Sequence, residues 1–362
     1  MALTKEQVTE QLKTVQDPEL FKDLVTLNMV KSVEVTNGVV DLTIELTTPA
    51  CPMKGTIEND IRAALGKLDG FAELKLEFTA DVKATPQAAA AANNPLPGVK
   101  HIIAVGAGKG GVGKSTVSLN IAVGLARAGA KTGLLDGDIY GPSVPTLLGL
   151  SDDMQPRTTT GNMIVPFEVH GIKTMTIGKL VESDKPLIWR GPMAHGAFRQ
   201  LATQTEWGEL DYLIIDLPPG TGDVPLTMSQ LLPLTGAVVV CTPQKLAQDD
   251  AVRAINMFRQ LSIDVLGVVE NMSYFIGDDG KEYDIFGKGG AQTMADTMNV
   301  NFLGAVPINM QLRANSDAGN PTANFEEGTK LAEELDAVVK KLAGQISVKA
   351  LRGDQQPTLS IS

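Results

Sequence analysis

Gly108-Lys109-Gly110-Gly111-Val112-Gly113-Lys114-Ser115 sets glycines, two lysines and a hydroxyl at the spacing G-x-x-x-x-G-K-[ST]. That pattern makes a phosphate cradle, because the glycines let successive backbone N–H groups turn inward onto anionic oxygens. A helix starting there adds a favourable field for negative charge. Read this way, Lys114 reaches the β- and γ-phosphates of ATP, the Ser115 hydroxyl ligates Mg2+, and Thr116 meets the α-phosphate. Lys109 is a second cation that a plain phosphate loop does not require. It reads either as a solvated surface lysine or as one that crosses a dimer interface to the partner's nucleotide.

Three carboxylates have the placement that triphosphate chemistry needs. Asp136 and Asp138 end the apolar run Leu134-Leu135, and Asp216 ends Tyr212-Leu213-Ile214-Ile215. Carboxylates at the C-terminal ends of parallel strands face the ligand crevice of such sheets. Asp138 is the candidate for positioning the attacking water, Asp136 for an outer magnesium contact, and Asp216 for holding Mg2+ through water. Asp136 and Asp138 read alternatively as helix caps. Leu217-Pro218-Pro219-Gly220-Thr221-Gly222-Asp223 follows as a loop able to sense the γ-phosphate. For the base, Asn271 offers an amide to the adenine edge and Pro307 a flank to the ring, with turn formation the alternative for both.

The elements that must carry these residues follow from periodicity. Strands are expected at His101–Val105, Thr132–Leu135, Tyr212–Ile215, Ala237–Cys241 and Val265–Glu270, alternating with helical stretches such as Ser115–Ala128. That is the pattern of an α/β P-loop NTPase domain, a mostly parallel sheet flanked by helices. Upstream, a helix over Thr4–Val15 is capped by Thr4 with Gln7 three residues on. Strands Val30–Thr36 and Val39–Leu46 meet at Asn37-Gly38, a tight hairpin signal. A helix Met53–Leu68 and a strand Glu73–Phe78 complete a small α+β domain over 1–83. The Ala-, Asn- and Pro-rich stretch 84–98 reads as a linker, 99–345 as the nucleotide domain, and 346–362 as a polar, disordered tail.

Composition narrows the function classes. The 362 residues carry a net charge of −11, spread along the chain, which argues against nucleic-acid binding. No apolar run approaches the ~18 residues of a spanning helix, and the N-terminus lacks a signal layout, so a cytoplasmic protein away from membranes is expected. Two cysteines, Cys51 and Cys241, and three histidines provide neither a disulfide framework nor a protein-only zinc site.

Together these residues resemble the Mrp/ApbC family of iron–sulfur carrier ATPases, within the deviant-Walker group that includes MinD and ParA. The resemblance covers about 99–345 and rests on Gly108–Thr116, Leu134–Ser143, Trp189–Met193, Ile215–Asp223, Glu270–Ser273 and Ile285–Gly290. Residues 1–83 resemble the small iron–sulfur-assembly domain often fused to these ATPases, through Asp17-Pro18-Glu19-Leu20 and Leu46-Thr47-Thr48-Pro49-Ala50-Cys51-Pro52. The resemblance implies a homodimer sandwiching ATP with Lys109 acting in trans. It also implies slow hydrolysis and delivery of a [4Fe–4S] cluster to apo client and scaffold proteins.

One departure stands out. Many members carry a CxxC pair between the segments matching Glu270–Ser273 and Ile285–Gly290, and here residues 274–284 contain no cysteine. Thiolates are the usual cluster ligands, so that route is closed. Cys51 reads either as an inert buried residue or as a thiolate activated by the following helix and able to ligate iron. Cys241 reads as structural. Two other functions stay open: an ATPase scaffold or regulator without a cluster, and a MinD- or ParA-like positioning ATPase. The latter needs a basic amphipathic C-terminal helix, whereas Glu326–Leu342 is mixed in charge.

Overall fold

Thr4 starts the first helix as its residue type dictates: its side chain accepts from the Gln7 backbone, and the Gln7 side chain answers the Thr4 N–H. The helix α1 (Lys5–Leu12) buries Val8 and Leu12. Strands β1 (Val30–Thr36) and β2 (Val39–Leu46) pair antiparallel around Asn37 and Gly38, both at positive φ (52° and 83°). Helix α2 (Lys54–Leu65) then leads to β3 (Glu73–Ala80), which runs parallel to β2. The sheet order β1-β2-β3 follows. Leu42 and Ile44 from the sheet and Ile57 and Ile61 from α2 form the centre of this small core.

The computed structural model describes residues 3–84, 94–138, 141–151, 153–179, 191–220, 223–277 and 279–353. The chain divides into two compact units, Met1–Lys83 with Ala343–Ser362, and Ala84–Leu342. Of the expected linker, 85–93 lie outside the described residues, whereas Leu96 is buried in the second unit's core.

The second unit is built on a nine-stranded sheet. Its centre is β4 (Val99–Gly106), flanked by β10 (Leu210–Asp216) and β11 (Gly236–Cys241). Beyond β10 come β5 (Thr132–Asp136) and β9 (Ile172–Thr176), all parallel, and then the antiparallel edge β8 (Phe167–Val169). Beyond β11 comes β12 (Val265–Ile276), which pairs in parallel with β14 (Phe302–Ile308) and antiparallel with the short β13 (Glu282–Tyr283). A hairpin of β6 (Arg157–Thr158) and β7 (Ile164–Val165) stands apart from this sheet. Central strands are apolar on both faces, as burial between helices requires: β11 and β5 are buried throughout.

The helices used below are α3 (Lys114–Arg127), α4 (Val144–Leu147), α5 (Gly191–Gln204), α6 (Asp223–Leu231), α7 (Lys245–Gln260), α8 (Gly290–Met298), α9 (Met310–Asp317) and α10 (Lys330–Gly353). The last corrects the expected tail. A helix anticipated to stop at Leu342 runs on to Gly353, with Leu342, Ala343 and Ile346 fully buried and Ala350 nearly so. The reason is visible in the spacing: Val339, Leu342, Ala343, Ile346 and Ala350 continue one apolar stripe at three- and four-residue steps. Only 354–362 of the expected tail lie outside the described residues.

Ile346→Ala should therefore behave as a core truncation and cost about 2–5 kcal/mol of stability. Urea unfolding monitored by circular dichroism checks this, and a change within error would return 346–353 to a surface tail.

Candidate functional site

β4 delivers the chain into the glycine-rich loop, and α3 begins at Lys114 directly after it. Two glycines there are demanded by geometry. Gly113 caps α3 at φ 79°, and a Cβ would meet the Asn271 amide nitrogen at 2.1 Å. Gly108 lies against α7, where a Cβ would fall 2.0 Å from the Asp250 carbonyl oxygen. A neighbouring helix thus presses the loop into shape, and no side chain at 108 is compatible with that approach.

Register assembles the acids. Asp216 on β10 pairs with Asp136 on β5 and with Val105 on β4, so both carboxylates end beside the phosphate loop. The Lys114 ammonium lies 2.8 Å from Asp216 Oδ1, 3.8 Å from Asp138 Oδ2, and donates to Ser115 Oγ at 3.3 Å. Lys114 is 6 % exposed and Asp216 0 %, so this is a buried ion cluster, not a surface pair. Leaving either partner alone there would be strongly unfavourable.

The remaining lone pairs are largely met by short-range donors. Ser118 Oγ donates to Asp216 Oδ1 at 2.6 Å. Thr176 Oγ1 donates to Asp136 Oδ2 at 2.8 Å, and the Asp138 N–H reaches Asp136 Oδ1 at 3.2 Å. Burial, reinforced by the Asp216 charge, pushes the Asp136 carboxyl up to about 7 against the pull of Thr176, the Asp138 N–H and Lys114.

Asp216 Oδ2 is the exception: it is buried and has no hydrogen-bond partner. A buried carboxylate oxygen without a donor is costly. With the Ser115 hydroxyl held on the same ammonium, the oxygen-only donor set fits a hydrated Mg2+, which binds through few carboxylates and keeps several waters. Among the described residues, no group of three His, Cys, Asp or Glu could hold a metal on its own.

The base-side candidates come together on neighbouring strands. Asn271 on β12 pairs with Val306, the neighbour of Pro307 on β14, so Asn271 and Pro307 share one sheet end. Asn271 is buried, and its amide donates to the Val112 carbonyl at 2.8 Å. That bond braces the phosphate loop. Lys109 is half-buried and makes no ion pair among the described residues. Of the motif segments, Ile139, Tyr140, Trp189, Arg190, Thr221 and Gly222 lie outside the described residues.

Of the two readings of Cys51, its surroundings match the buried one. It is 8 % exposed in the core of the first unit, and burial, with some help from Glu19 and Asp17, pushes its thiol up to about 11. The N–H groups of Met53 and Lys54 pull the other way and lose. A thiol activated by the following helix is therefore not what this environment makes. Asp17 accepts from the Glu19 and Leu20 N–H groups, so that acidic motif builds a turn. Cys241 is 1 % exposed in β11 and its thiol is pushed up to about 12, chiefly by burial.

Sequence reasoning missed Ser118 and Thr176. Ser118 had a signal, one helical turn beyond Lys114 on the same face. Thr176 had none, since only the β5–β9 register brings it to Asp136.

A phosphate loop after the central strand, a lysine on its helix and two acids ending neighbouring strands define a P-loop nucleoside triphosphatase. Residues 98–343 match the NUBPL iron-transfer P-loop NTPase family, and this chain belongs to it. Residues 5–77 match a second family described as iron–sulfur cluster assembly protein. The iron–sulfur cluster carrier protein of Deinococcus radiodurans is 49 % identical over 343 residues, covering 94 % of this chain and 95 % of that one. Its counterpart in Synechocystis is 46 % identical over 354 residues, covering 96 % and 99 %. Among solved structures, a nucleotide-binding protein of Archaeoglobus fulgidus in complex with ADP aligns with a TM-score of 0.57 and 39 % identity, over 66 % of this chain and 93 % of that one. No described helix is long and apolar enough to cross a membrane.

Two outcomes follow from the ion cluster. Lys114→Ala should abolish nucleotide binding in calorimetry, because it removes the site's buried cation. For Asp136 the sign is set by a folded value of about 7 above the ordinary 3.8. The folded chain then holds the extra proton between those values, so its stability falls as pH rises through that window. Asp136→Asn should flatten the slope of the unfolding midpoint between about pH 4.5 and 7, measured without nucleotide or magnesium. An unchanged slope would remove Asp136 as its source.

Proposed function

We propose that this chain is an ATP-driven iron–sulfur cluster carrier, a cytoplasmic homodimer that binds Mg-ATP at Gly108–Thr116, hydrolyses it slowly and passes [4Fe–4S] clusters to apo client and scaffold proteins. The observation that carries the ATPase half is the Lys114 ammonium held among Asp216, Asp138 and Ser115 at the mouth of the phosphate loop. The cluster half is supported by the family and by relatives named as carriers that match nearly the whole chain.

Binding begins when Lys114 exchanges Asp216 for the β- and γ-phosphates, while the loop N–H groups and the α3 N-terminus take the remaining oxygens. Ser115 and, through water, Asp216 would hold Mg2+, which neutralises charge on those phosphates. Asp138, close enough to Lys114 to stay near the γ-phosphate, orients the attacking water by accepting its hydrogen bond. Water oxygen bonds to the γ-phosphorus, the bond to the β–γ bridging oxygen breaks, and ADP and phosphate leave with the water's proton. Lys109, without an ion pair among the described residues, is the cation that serves the partner's nucleotide. Asn271 keeps the loop closed behind the phosphates, and Pro307 at the same sheet end flanks the base.

For the cluster, Cys51 is the one thiol outside the large sheet, and its burial means that iron must displace its proton and the surrounding turn must open. Two chains supply two such thiols, so a client or a small thiol completes the ligand set. That same burial favours a second reading, an ATPase scaffold or regulator without its own cluster.

Asp138→Ala should leave the affinity for ATP within about threefold and lower turnover by about a hundredfold or more. Normal turnover in that variant would remove Asp138 from the water-positioning role. Lys109→Ala should bind ATP yet lose turnover by about a hundredfold, as expected for a transition-state cation. Anaerobic purification should give iron and sulfide with the wild-type dimer and clearly less with Cys51→Ala. Equal and negligible content in both selects the scaffold reading.

A further inference from the structure

Three asparagines are buried behind the phosphate loop: Asn120 on α3, Asn324 in the 3-10 turn Pro321–Phe325, and Asn315 on α9, at 2 %, 1 % and 7 % exposure. Buried amides are tolerated only where their hydrogen bonds are made. Asn120 Nδ2 donates to the Thr116 carbonyl at 2.8 Å. Asn324 Nδ2 donates to Asn120 Oδ1 at 2.9 Å, and Asn315 Nδ2 to Asn324 Oδ1 at 2.9 Å. Gln311 Nε2, at the exposed end, donates to Asn315 Oδ1 at 2.7 Å.

The direction of this chain is dictated by its inner end. A backbone carbonyl only accepts, so Asn120 must turn its nitrogen to Thr116, which leaves its oxygen to Asn324, and so on outward. Every donor therefore points toward the loop. Linked amides polarise one another, so each bond of the row strengthens the next one inward. Apolar side chains would fill the same space without desolvating three amides. The outer end belongs to α9, which follows directly on β14 and its Pro307.

We propose that Gln311, Asn315, Asn324 and Asn120 are positioning residues for the nucleotide site, fixing the first turn of α3 at Thr116 and tying it to the helix beside the base-flanking strand. The proposal rests on the ATP-site reading above. The chain acts on where the triphosphate sits and leaves the water-positioning Asp138 untouched, so it governs affinity and not turnover.

The test uses the full-length protein with magnesium, measuring the Kd of a non-hydrolysable ATP analogue by calorimetry and kcat and KM for ATP. Asn324→Asp keeps the shape but removes the donor to Asn120. It should raise Kd and KM about tenfold, the loss of roughly one net hydrogen bond, with kcat within about twofold. Asn120→Asp combined with Asn324→Asp should bind no more weakly than the worse single variant, because both act through one carbonyl. Gln311→Ala, at the exposed end and safe for folding, should raise Kd about two- to threefold. Wild-type Kd and KM in folded Asn324→Asp, or fully additive single effects, would overturn the proposal. If Asn324→Asp does not fold, an unchanged Kd in Gln311→Ala overturns it. A wild-type protein without affinity for the analogue fails differently, since it removes the ATP site itself.

Discussion

A single buried ammonium organises the nucleotide unit. Lys114 has to sit where Asp216, Asp138 and Ser115 converge, and each depends on a different part of the fold. Asp216 reaches it, and Asp138 follows two residues after the paired Asp136, because β10 lies between β4 and β5 in register. Ser115 reaches it because α3 begins immediately after the loop. At separations of 2.8 and 3.8 Å in a site shielded from water, these charges interact strongly enough that displacing one strand would expose an unpaired carboxylate. The same geometry keeps one Asp216 oxygen without a protein donor, which is where an oxygen-loving dication is best accommodated.

Several motifs that travel with the phosphate loop prove to be its supports. Glu270 is fully buried and accepts from the N–H groups of Gly289 and Ala291, at 2.9 and 2.7 Å, and from the Ser273 hydroxyl. It thereby caps α8 and ties Glu270–Ser273 to Ile285–Gly290 across the eleven residues 274–284. Asn271, the next residue, braces Val112. Adjacent residues of β12 thus carry both a helix cap and a loop brace. Gly290 packs where a Cβ would meet the Gln248 amide at 2.0 Å, so α7 is pinned to α8 as well as to Gly108.

The small unit is organised by burial instead of charge. Its turn at Asp17 and the segment around Cys51 look reactive by residue type, but the carboxylate is engaged by backbone N–H groups and the thiol is held protonated by its apolar surroundings. Any chemistry at Cys51 has to begin with a local opening that exposes the sulfur. This cost separates an environment suited to a packed core from one suited to a standing metal site, and it places the burden of reactivity on motion and partner thiols.

What the residues by themselves determined is what depends on short range. The phosphate loop, the Thr4–Gln7 cap, the Asn37-Gly38 hairpin and the strand ends at Asp136 and Asp216 each follow from a few neighbouring residues and their backbone preferences. The apolar stripe that carries α10 to Gly353 was also present in the spacing, although its polar neighbours disguised it. Only the tertiary structure decided which distant groups meet: Thr176 on Asp136, Asn271 on Val112, Asp250 against Gly108, and the amides running from Gln311 to Thr116. It also decided that Cys51 is a buried thiol. Such contacts arise from strand register and helix packing across long sequence separations, and a residue's type says what bonds it can make but not which partner the fold will bring to it.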